Sequence, residues 1–401
     1  MRSRIFTAFE SRDFRLMWAG ACTSSIGTWM QKLAQSWLVF QLSGSAFMLG
    51  LDNFLGEIPI FLFALYAGVV ADRVDRRRLL VASQLLQMGC AFTLAVLFAL
   101  GRAEVWHILS LSFLVGTAQA FGAPAYQSLL PSLVPREHIP NAIAMNSIQF
   151  NVARLVGPAV GGLTLSTLGA AWCFGLNGLS YGAVIATLVL ISARHVPSTK
   201  KETVMESMKE GLRFIRAQKG MVELILVSFF CTFLGIPIVV FLPVFAKDVF
   251  GGAEGTYTLL LTVEAAGAIA GALLVAARGK RGHLGRDAMM SLAGLGVFMT
   301  AFALTPRIEL ALVFLFFGGL TLIACFALLS SLVQMVATDE MRGRVMSIYN
   351  IAFRGGMPIG SLVVGQFVAQ YSAPPVVAVN GVLLLLIAMF LLLVRREVAE
   401  L

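Results

Sequence analysis

Apolar runs of roughly twenty residues, separated by short polar segments, recur along almost the whole chain. A helix needs about 20 apolar residues to cross a bilayer, so the pattern predicts an all-α membrane protein with twelve transmembrane helices. The predicted spans are 15–41, 45–71, 77–100, 105–130, 138–168, 172–193, 221–247, 255–277, 287–305, 309–336, 342–370 and 374–394.

One longer polar segment separates the sixth and seventh apolar runs. In "KKETVMESMKEGLRFIRAQKG", Val204, Met208, Leu212 and Ile215 recur at helical spacing, and charged residues occupy the other side. This spacing predicts an amphipathic helix that lies along the membrane surface.

Two segments of the first half resemble segments of the second half. "SLLPSLVPREHIPNA" at 128–142 parallels "SLVQMVATDEMRGRV" at 331–345, and "NVARLVG" at 151–157 parallels "NIAFRGG" at 350–356. The repeat predicts two pseudo-symmetric six-helix bundles, which is a transporter architecture. The predicted domains are an N-terminal bundle, a cytoplasmic amphipathic linker helix and a C-terminal bundle: 1–193, 194–220 and 221–401.

Composition and charge agree with a membrane protein. The chain is 58% hydrophobic and 13% charged, whereas soluble domains have about 25% charged residues. The net charge of +9 would suit a nucleic-acid partner, but the Lys and Arg residues fall in alternate loops, 24 on one side and 3 on the other. This asymmetry predicts cytoplasmic termini and argues against nucleic-acid binding.

A cluster of charged residues separates the second and third apolar runs at "AGVVADRVDRRRLLVA", residues 67–82. Five of its residues follow the spacing G-x-x-x-D-R-x-x-R-R: Gly68, Asp72, Arg73, Arg76 and Arg77. This loop resembles the cytoplasmic signature of the major facilitator superfamily, with Asp75 where the usual pattern has a glycine. "RLVGPAVGG" in the fifth span resembles the G-P-x-x-G-G motif of export-type members. The resemblance covers the whole chain. Within the superfamily, the sequence is similar in character to bacterial exporters of siderophores, macrolides and drugs.

The resemblance implies that Asp72 packs beside the start of the eleventh span, near Arg342 and Arg344. We hypothesise that the charged cluster is a cytoplasmic gate that latches the two halves together. The alternative is a plain positively charged anchor. The counterpart stretch "RGKRGHLGRD" at 278–287 lacks the corresponding acid, so the predicted latch is asymmetric.

Six ionisable residues fall inside predicted spans, where each costs about 2.5–3.5 kcal/mol on insertion scales. They are Lys32, Asp52, Glu57, Arg154, Glu264 and Arg354. The carboxylates are candidates for proton coupling, Glu57 and Glu264 before Asp52, and the cations are candidate counter-charges. The alternative is that they form structural ion pairs between helices.

A polar stripe on the first span comprises Ser24, Thr28, Gln31 and Gln35, which share one helix face. It predicts a watery substrate cavity, and the alternative is hydrogen bonding between packed helices. Small and kinking residues predict close helix packing, which the resemblance places at the interface between the halves: Gly157, Pro158, Gly161, Gly162, Gly267, Gly271, Gly356, Pro358 and Gly360.

The resemblance implies a secondary active transporter rather than an enzyme. The expected activity is proton-coupled export, by alternating access, of amphipathic organic molecules such as drugs or siderophores across a bacterial inner membrane. A facilitator or an importer of lipid-like substrates, without proton coupling, is the alternative. No ATP-binding G-x-x-x-x-G-K-[S/T] loop occurs. The expected partners are the lipid bilayer, a small-molecule substrate and protons; we expect a monomer without cofactor or metal.

Overall fold

Long helices dominate this chain because a bilayer offers no water to backbone polar groups, so each span must satisfy its own hydrogen bonds. The computed structural model describes residues 4–191, 204–278, 283–395 and 398. The first six long helices are α1 (Arg12–Ser43), α2 (Ala46–Arg73), α3 (Arg76–Ala99), α4 (Val105–Leu129), α5 (Ile139–Thr167) and α6 (Ala170–Leu190). Short 3₁₀ helices occupy Arg4–Glu10, Leu130–Leu133 and Arg136–His138.

The remaining helices are α7 (Val204–Ala217), α8 (Met221–Gly235), the short α9 (Pro237–Val240) and α10 (Leu242–Val244), α11 (Glu254–Arg278), α12 (Leu284–Leu304), α13 (Ile308–Val336), α14 (Arg342–Tyr371) and α15 (Ala373–Leu393). The described residues contain no strand. The predicted all-α membrane fold is confirmed.

Ten helical segments in the described part of the chain are long and apolar enough to cross a membrane. Helices α1 and α5, with 32 and 29 residues, are also long enough but are more polar than those ten. Counted together, the long helices are consistent with the predicted twelve. The low hydropathy of α1 and α5 matters below, because both contribute polar side chains to a cavity.

The seventh predicted span, 221–247, is a broken helix. After α8 ends at Gly235, the chain continues through α9 and α10, and Phe245–Val249 forms a π-helical turn. Pro237 and Pro243 each begin or nearly begin a short segment. Proline cannot donate a backbone hydrogen bond and clashes with the preceding turn, so a continuous helix is not available to this segment.

The chain forms two compact units, one of residues 1–43 and 55–200 and the other of residues 44–54 and 201–401. Within the first unit α1 packs on α5 and α6, and α3 packs on α4 and α6. Within the second unit α8 packs on α14 and α15, and α12 packs on α13 and α15. The helix pairs thus recur in corresponding order, as the sequence repeat predicts.

Glycines allow these helices to approach closely. A β-carbon at Gly161 of α5 would lie 2.9 Å from the carbonyl oxygen of Met30 in α1. On α11, added β-carbons at Gly267 and Gly271 would overlap carbonyl oxygens of α13, and on α14 the same holds for Gly360 against α8. These contacts are each made inside one unit. A role of these glycines between the halves stays a prediction, as does that of the buried Gly162, Pro158 and Pro358.

The amphipathic helix predicted in the linker corresponds to α7; residues 194–203 of that linker lie outside the described residues. Gly211 of α7 faces α14, where an added β-carbon would lie 2.8 Å from Cδ1 of Ile348. Ile215 is buried, whereas Leu212 is exposed. Arg344 of α14 forms an ion pair with Glu210, with 2.5 Å between Nη1 and Oε2. Helix α7 therefore packs on α14 through a narrower face than the sequence predicts.

Candidate substrate cavity and intramembrane charges

A cavity of about 460 Å³ opens inside the first unit, among α1, α3, α4, α5 and α6. Drug-sized ligands occupy pockets of about 300–1,000 Å³. Most of the lining consists of uncharged polar side chains: Ser24, Ser25, Thr28, Ser83, Gln84, Gln87, Gln119, Tyr126, Gln127, Asn146, Ser147, Gln149, Asn151 and Tyr181. The apolar part of the lining includes Trp29, Leu80, Phe150 and Val184.

The cavity lies toward one end of the helices. It is lined by residues early in α1, α3 and α5 and by residues late in α4 and α6. Because successive spans run in opposite directions, these ends belong to the same side of the membrane. The charge asymmetry of the loops predicts that this side is cytoplasmic.

Part of the polar lining is held by hydrogen bonds within the protein. Ser83 Oγ donates to the carbonyl of Ala118 at 2.7 Å, and Gln87 Nε2 donates to Ser83 Oγ at 3.2 Å. Gln149 Nε2 donates to the carbonyl of Ala21 at 3.1 Å. The bond of Ser83 connects α3 to α4 and that of Gln149 connects α5 to α1, so these two bonds fix the cavity walls.

The predicted polar stripe of α1 divides into two parts. Ser24 and Thr28 line the cavity, as the watery-face interpretation requires. Gln31 and Gln35 instead bridge helices: Asn177 Nδ2 of α6 donates to Gln31 Oε1 at 2.6 Å, and Gln35 Nε2 donates to an α4 serine, Ser112 Oγ, at 2.9 Å. For these two residues the packing alternative is the one that the contacts support.

Two cations flank an aromatic ring of the cavity wall. Lys32 Nζ lies 5.5 Å from the ring centroid of Trp29, and the guanidinium carbon of Arg154 lies 5.9 Å from it. Lys32 also pairs with Glu57 of α2, with 3.5 Å between Nζ and Oε1. Of the six intramembrane ionisable residues, the structure thus brings Lys32, Glu57 and Arg154 into one neighbourhood.

The other three ionisable residues belong to the second unit. Asp52 and Glu264 are buried, with 7% and 1% exposure, and both have electrostatic or hydrogen-bonding partners. Arg354 on α14 is exposed.

The contacts of two of the five predicted gate residues can be described. The surroundings of Gly68 and the side chains of Asp72 and Arg73 lie outside what the structure describes. Arg76 Nη1 donates to the carbonyl of Ser128 at 3.3 Å, and Arg77 Nη2 donates to that of Val189 at 2.9 Å. These two arginines therefore bind the carboxyl ends of α4 and α6 in their own unit, where helix carbonyls and dipoles favour cations.

Asp75, which departs from the family signature, is the N-cap of α3. Its Oδ1 accepts hydrogen bonds from the backbone N–H groups of Arg77 at 2.9 Å and Arg78 at 3.1 Å. The carboxylate thus satisfies two of the free donors at the start of the helix. In the sequence Asp75 stands out as a departure from the family pattern, but an aspartate before a helical run is also an N-cap signal.

An Asp75→Ala variant is expected to lose about 1 kcal/mol of stability, the usual cost of removing an N-cap. Asp75→Asn should keep most of that stability, because an asparagine oxygen can accept the same hydrogen bonds. Thermal unfolding of the detergent-solubilised protein measures both. Equal losses for alanine and asparagine would mean that the charge of Asp75, rather than its capping oxygen, matters.

The segment 278–287, which is the second-half counterpart of the signature loop, ends with an acidic residue. Arg278, the last residue of α11, contacts Asp287 in the first turn of α12, with 2.9 Å between Nη2 and Oδ2. Residues 279–282 between them lie outside the described residues. The two loops therefore differ in where their acid lies along the sequence: Asp72 lies at the start of the first loop and Asp287 at the end of the second.

Three carboxamides of α3 and α4 are cavity residues that are absent from the predicted site. Gln84, Gln119 and Gln127 line the cavity yet stand within long apolar runs. A neutral amide inside a span is a weaker signal than a charge, because it costs less to bury. The signal available was their spacing: Gln119 and Gln127 are eight residues apart and lie on one side of α4.

Comparisons with known proteins address the whole chain. A family model described as "transmembrane secretion effector" matches residues 3–400. Macrolide efflux protein A of Streptococcus pyogenes is 25% identical over 386 residues, covering 94% of each chain. Multidrug efflux pump Tap of Mycolicibacterium fortuitum is 28% identical over 364 residues, covering 86% of each. Enterobactin exporter EntS of Shigella boydii serotype 4 is 26% identical over 389 residues, covering 96% of this chain and 92% of that protein.

Solved structures with the same fold include two transporters. The nucleoside transporter NupG matches with a TM-score of 0.73 and 13% identity, over 95% of this chain and 98% of that one. A bacterial homolog of the human lysosomal transporter Spinster matches with a TM-score of 0.73 and 15% identity, over 96% of each chain. At these identities the likeness establishes the fold alone.

Proposed function

The chain belongs to the transmembrane secretion effector family of the major facilitator superfamily, and from this membership we propose that it is a proton-coupled exporter of amphipathic organic molecules. As a member of this superfamily it is a multi-pass membrane transporter of small molecules. Relatives named for macrolide, multidrug and enterobactin efflux support export of drug-like or siderophore-like compounds.

The observation that carries this proposal is the uncharged polar cavity of about 460 Å³ in the first unit. Burying so many polar side chains in a membrane bundle is costly unless they bind water or a ligand. Its position near the predicted cytoplasmic ends of the helices suits the capture of a substrate from the cell interior. Trp29 and Phe150 add aromatic surface for the apolar part of an amphipathic molecule.

Proton coupling is assigned to the intramembrane carboxylates. Glu57 pairs with Lys32 beside Trp29 of the cavity wall, so protonation of Glu57 would release Lys32 next to a bound substrate. Glu264 is the second candidate because it is 1% exposed, and a buried carboxylate is where proton affinity can depend on conformation. Asp52 is the third.

Alternating access requires a gate on the cytoplasmic side, and we assign it to Gly68, Asp72, Arg73, Arg76 and Arg77. The contacts of Arg76 and Arg77 with the ends of α4 and α6 anchor this segment in the first unit. Such anchoring leaves Asp72 as the residue proposed to engage the second half. We also propose a bacterial inner-membrane location, cytoplasmic termini and a monomer.

A toxicity and accumulation screen in cells with and without the protein tests this function. Expressing cells are expected to accumulate less of an exported compound, and a protonophore is expected to raise accumulation to that of control cells. Reduced accumulation that survives the protonophore would favour transport without proton coupling. Unchanged accumulation for macrolides, other drugs and catecholate siderophores would contradict the proposed export.

A further inference from the structure

Three carboxamide side chains of the cavity have no partner in the described part of the chain. Gln84 of α3 and Gln119 and Gln127 of α4 line the cavity, and none makes a hydrogen bond with a described residue. By contrast, two other glutamines of the same lining donate hydrogen bonds within the protein, Gln87 to Ser83 of its own helix and Gln149 to the carbonyl of Ala21 in α1. Each of these carboxamides offers two donor hydrogens and an acceptor oxygen, so the three without a partner together form a hydrogen-bonding surface that faces the cavity.

Gln84 gives the strongest evidence that the cavity needs a hydrogen-bond donor from its ligand. Its Oε1 is buried from solvent and has no hydrogen-bond partner among the described residues. A buried acceptor without a donor is unfavourable, and most such groups in native proteins have a protein or water partner. A ligand that places an N–H or O–H group near Gln84 Oε1 supplies the missing donor.

Among the residues that the structure describes, no charged side chain lines the cavity. Two described cations, Lys32 and Arg154, lie against the ring of the lining residue Trp29, and Lys32 is paired with Glu57. A charged ligand in such a cavity would lose hydration without gaining an opposite charge. An uncharged polar ligand would exchange its water hydrogen bonds for those of the carboxamides at little cost.

We infer that this cavity selects uncharged molecules that carry several hydroxyl or amide groups on an apolar body, and that Gln84, Gln119 and Gln127 are the specificity-determining residues. This inference rests on the proposed function, because it names the substrate class of the same exporter. Hydroxyl and amide groups face the glutamines, and the apolar body packs against Trp29 and Phe150.

Three fluorescent probes test the inference with the full chain in proteoliposomes. Each carries the same dansyl group, joined to an N-methylglucamine, a carboxylate or a trimethylammonium head. Binding is read from dansyl emission excited through tryptophan, since Trp29 lines the cavity. The glucamine probe is expected to bind at least about tenfold more tightly than either charged probe, the factor for each 1.4 kcal/mol of uncompensated desolvation.

Variants of Gln84 sharpen the test. Gln84→Ala is expected to weaken the glucamine probe roughly 2- to 10-fold, the effect of one lost hydrogen bond. Gln84→Glu is expected to raise affinity for the trimethylammonium probe and to lower it for the carboxylate probe. Gln119→Glu replaces it if Gln84→Glu fails to fold. Gln41→Glu, an exposed residue of α1 outside the cavity, is the charge-matched control and is expected to change nothing.

Binding and transport separate the two proposals. Equal binding of the three probes, or no binding of the glucamine probe, would overturn the charge selectivity even if the protein exports other compounds. Tight, selective binding of the glucamine probe without any transport would leave the cavity assignment intact and count against the exporter.

Discussion

A Glu57→Gln variant is expected to lose uphill transport, to the level of empty vesicles, while it still exchanges substrate down a gradient. Glutamine cannot bind and release a proton, and it cannot balance the charge of Lys32, whose Nζ lies 3.5 Å from Glu57 Oε1. Proteoliposomes with an imposed pH gradient measure uphill transport. Substrate counterflow in the absence of a pH gradient measures the exchange. Retained uphill transport would contradict the coupling role of Glu57.

A double variant separates coupling from structural pairing. In Lys32→Gln/Glu57→Gln both charges are gone, so no unpaired cation remains in the membrane. If the pair is only structural, the double variant should recover uphill transport. If Glu57 couples protons, the double variant should recover protein abundance but not uphill transport. Glu309→Gln, an exposed acid in the first turn of α13, is the matched control and should behave as the unmodified protein.

Gly319→Ala is expected to destabilise the protein, whereas Gly318→Ala, one residue earlier on α13, is not. A β-carbon at Gly319 would overlap the carbonyl oxygen of Glu264 and lie 3.2 Å from the amide nitrogen of Ala268. At Gly318 an added β-carbon meets nothing within 4 Å. Overpacking of this kind costs about 1–3 kcal/mol, while alanine for glycine in an unobstructed helix position gains up to about 1 kcal/mol.

The two glycine variants are compared by thermal aggregation in detergent, read on a size-exclusion column. Gly267→Ala on α11 should resemble Gly319→Ala, because its β-carbon would overlap the carbonyl oxygen of Phe316. Equal thermal stability of the Gly318 and Gly319 variants would mean that α11 and α13 separate without cost. Their backbones would then not form the rigid contact described above.

The helical architecture follows from the lengths of the apolar runs, since a bilayer admits few other solutions. Details that depend on single residues were less accessible. The seventh span was predicted as one helix, yet Pro237 and Pro243 divide it. Proline inside a membrane span can be accommodated by kinking or by interruption, and the sequence alone does not decide which occurs.

The cavity was only partly predictable. A polar stripe on α1 indicated it, and Ser24 and Thr28 do line it. The same stripe assigned Gln31 and Gln35 to the cavity, although their partners on α6 and α4 turn them into helix bridges. Spacing along one helix identifies a face but not the helix that covers it. Pairing between Lys32 and Glu57 likewise depends on how α1 and α2 pack.

The polarity of α1 and α5 has a consequence for membrane insertion of the protein during its synthesis. During synthesis α1 emerges long before α5, and alone it would present Ser24, Gln31 and Gln35 to the lipid. Its shielding comes from later segments: Asn177 of α6 bonds Gln31, and the glycine face of α5 covers Met30. We therefore expect the polar side chains of α1 to find their native partners only after the sixth helix has been made.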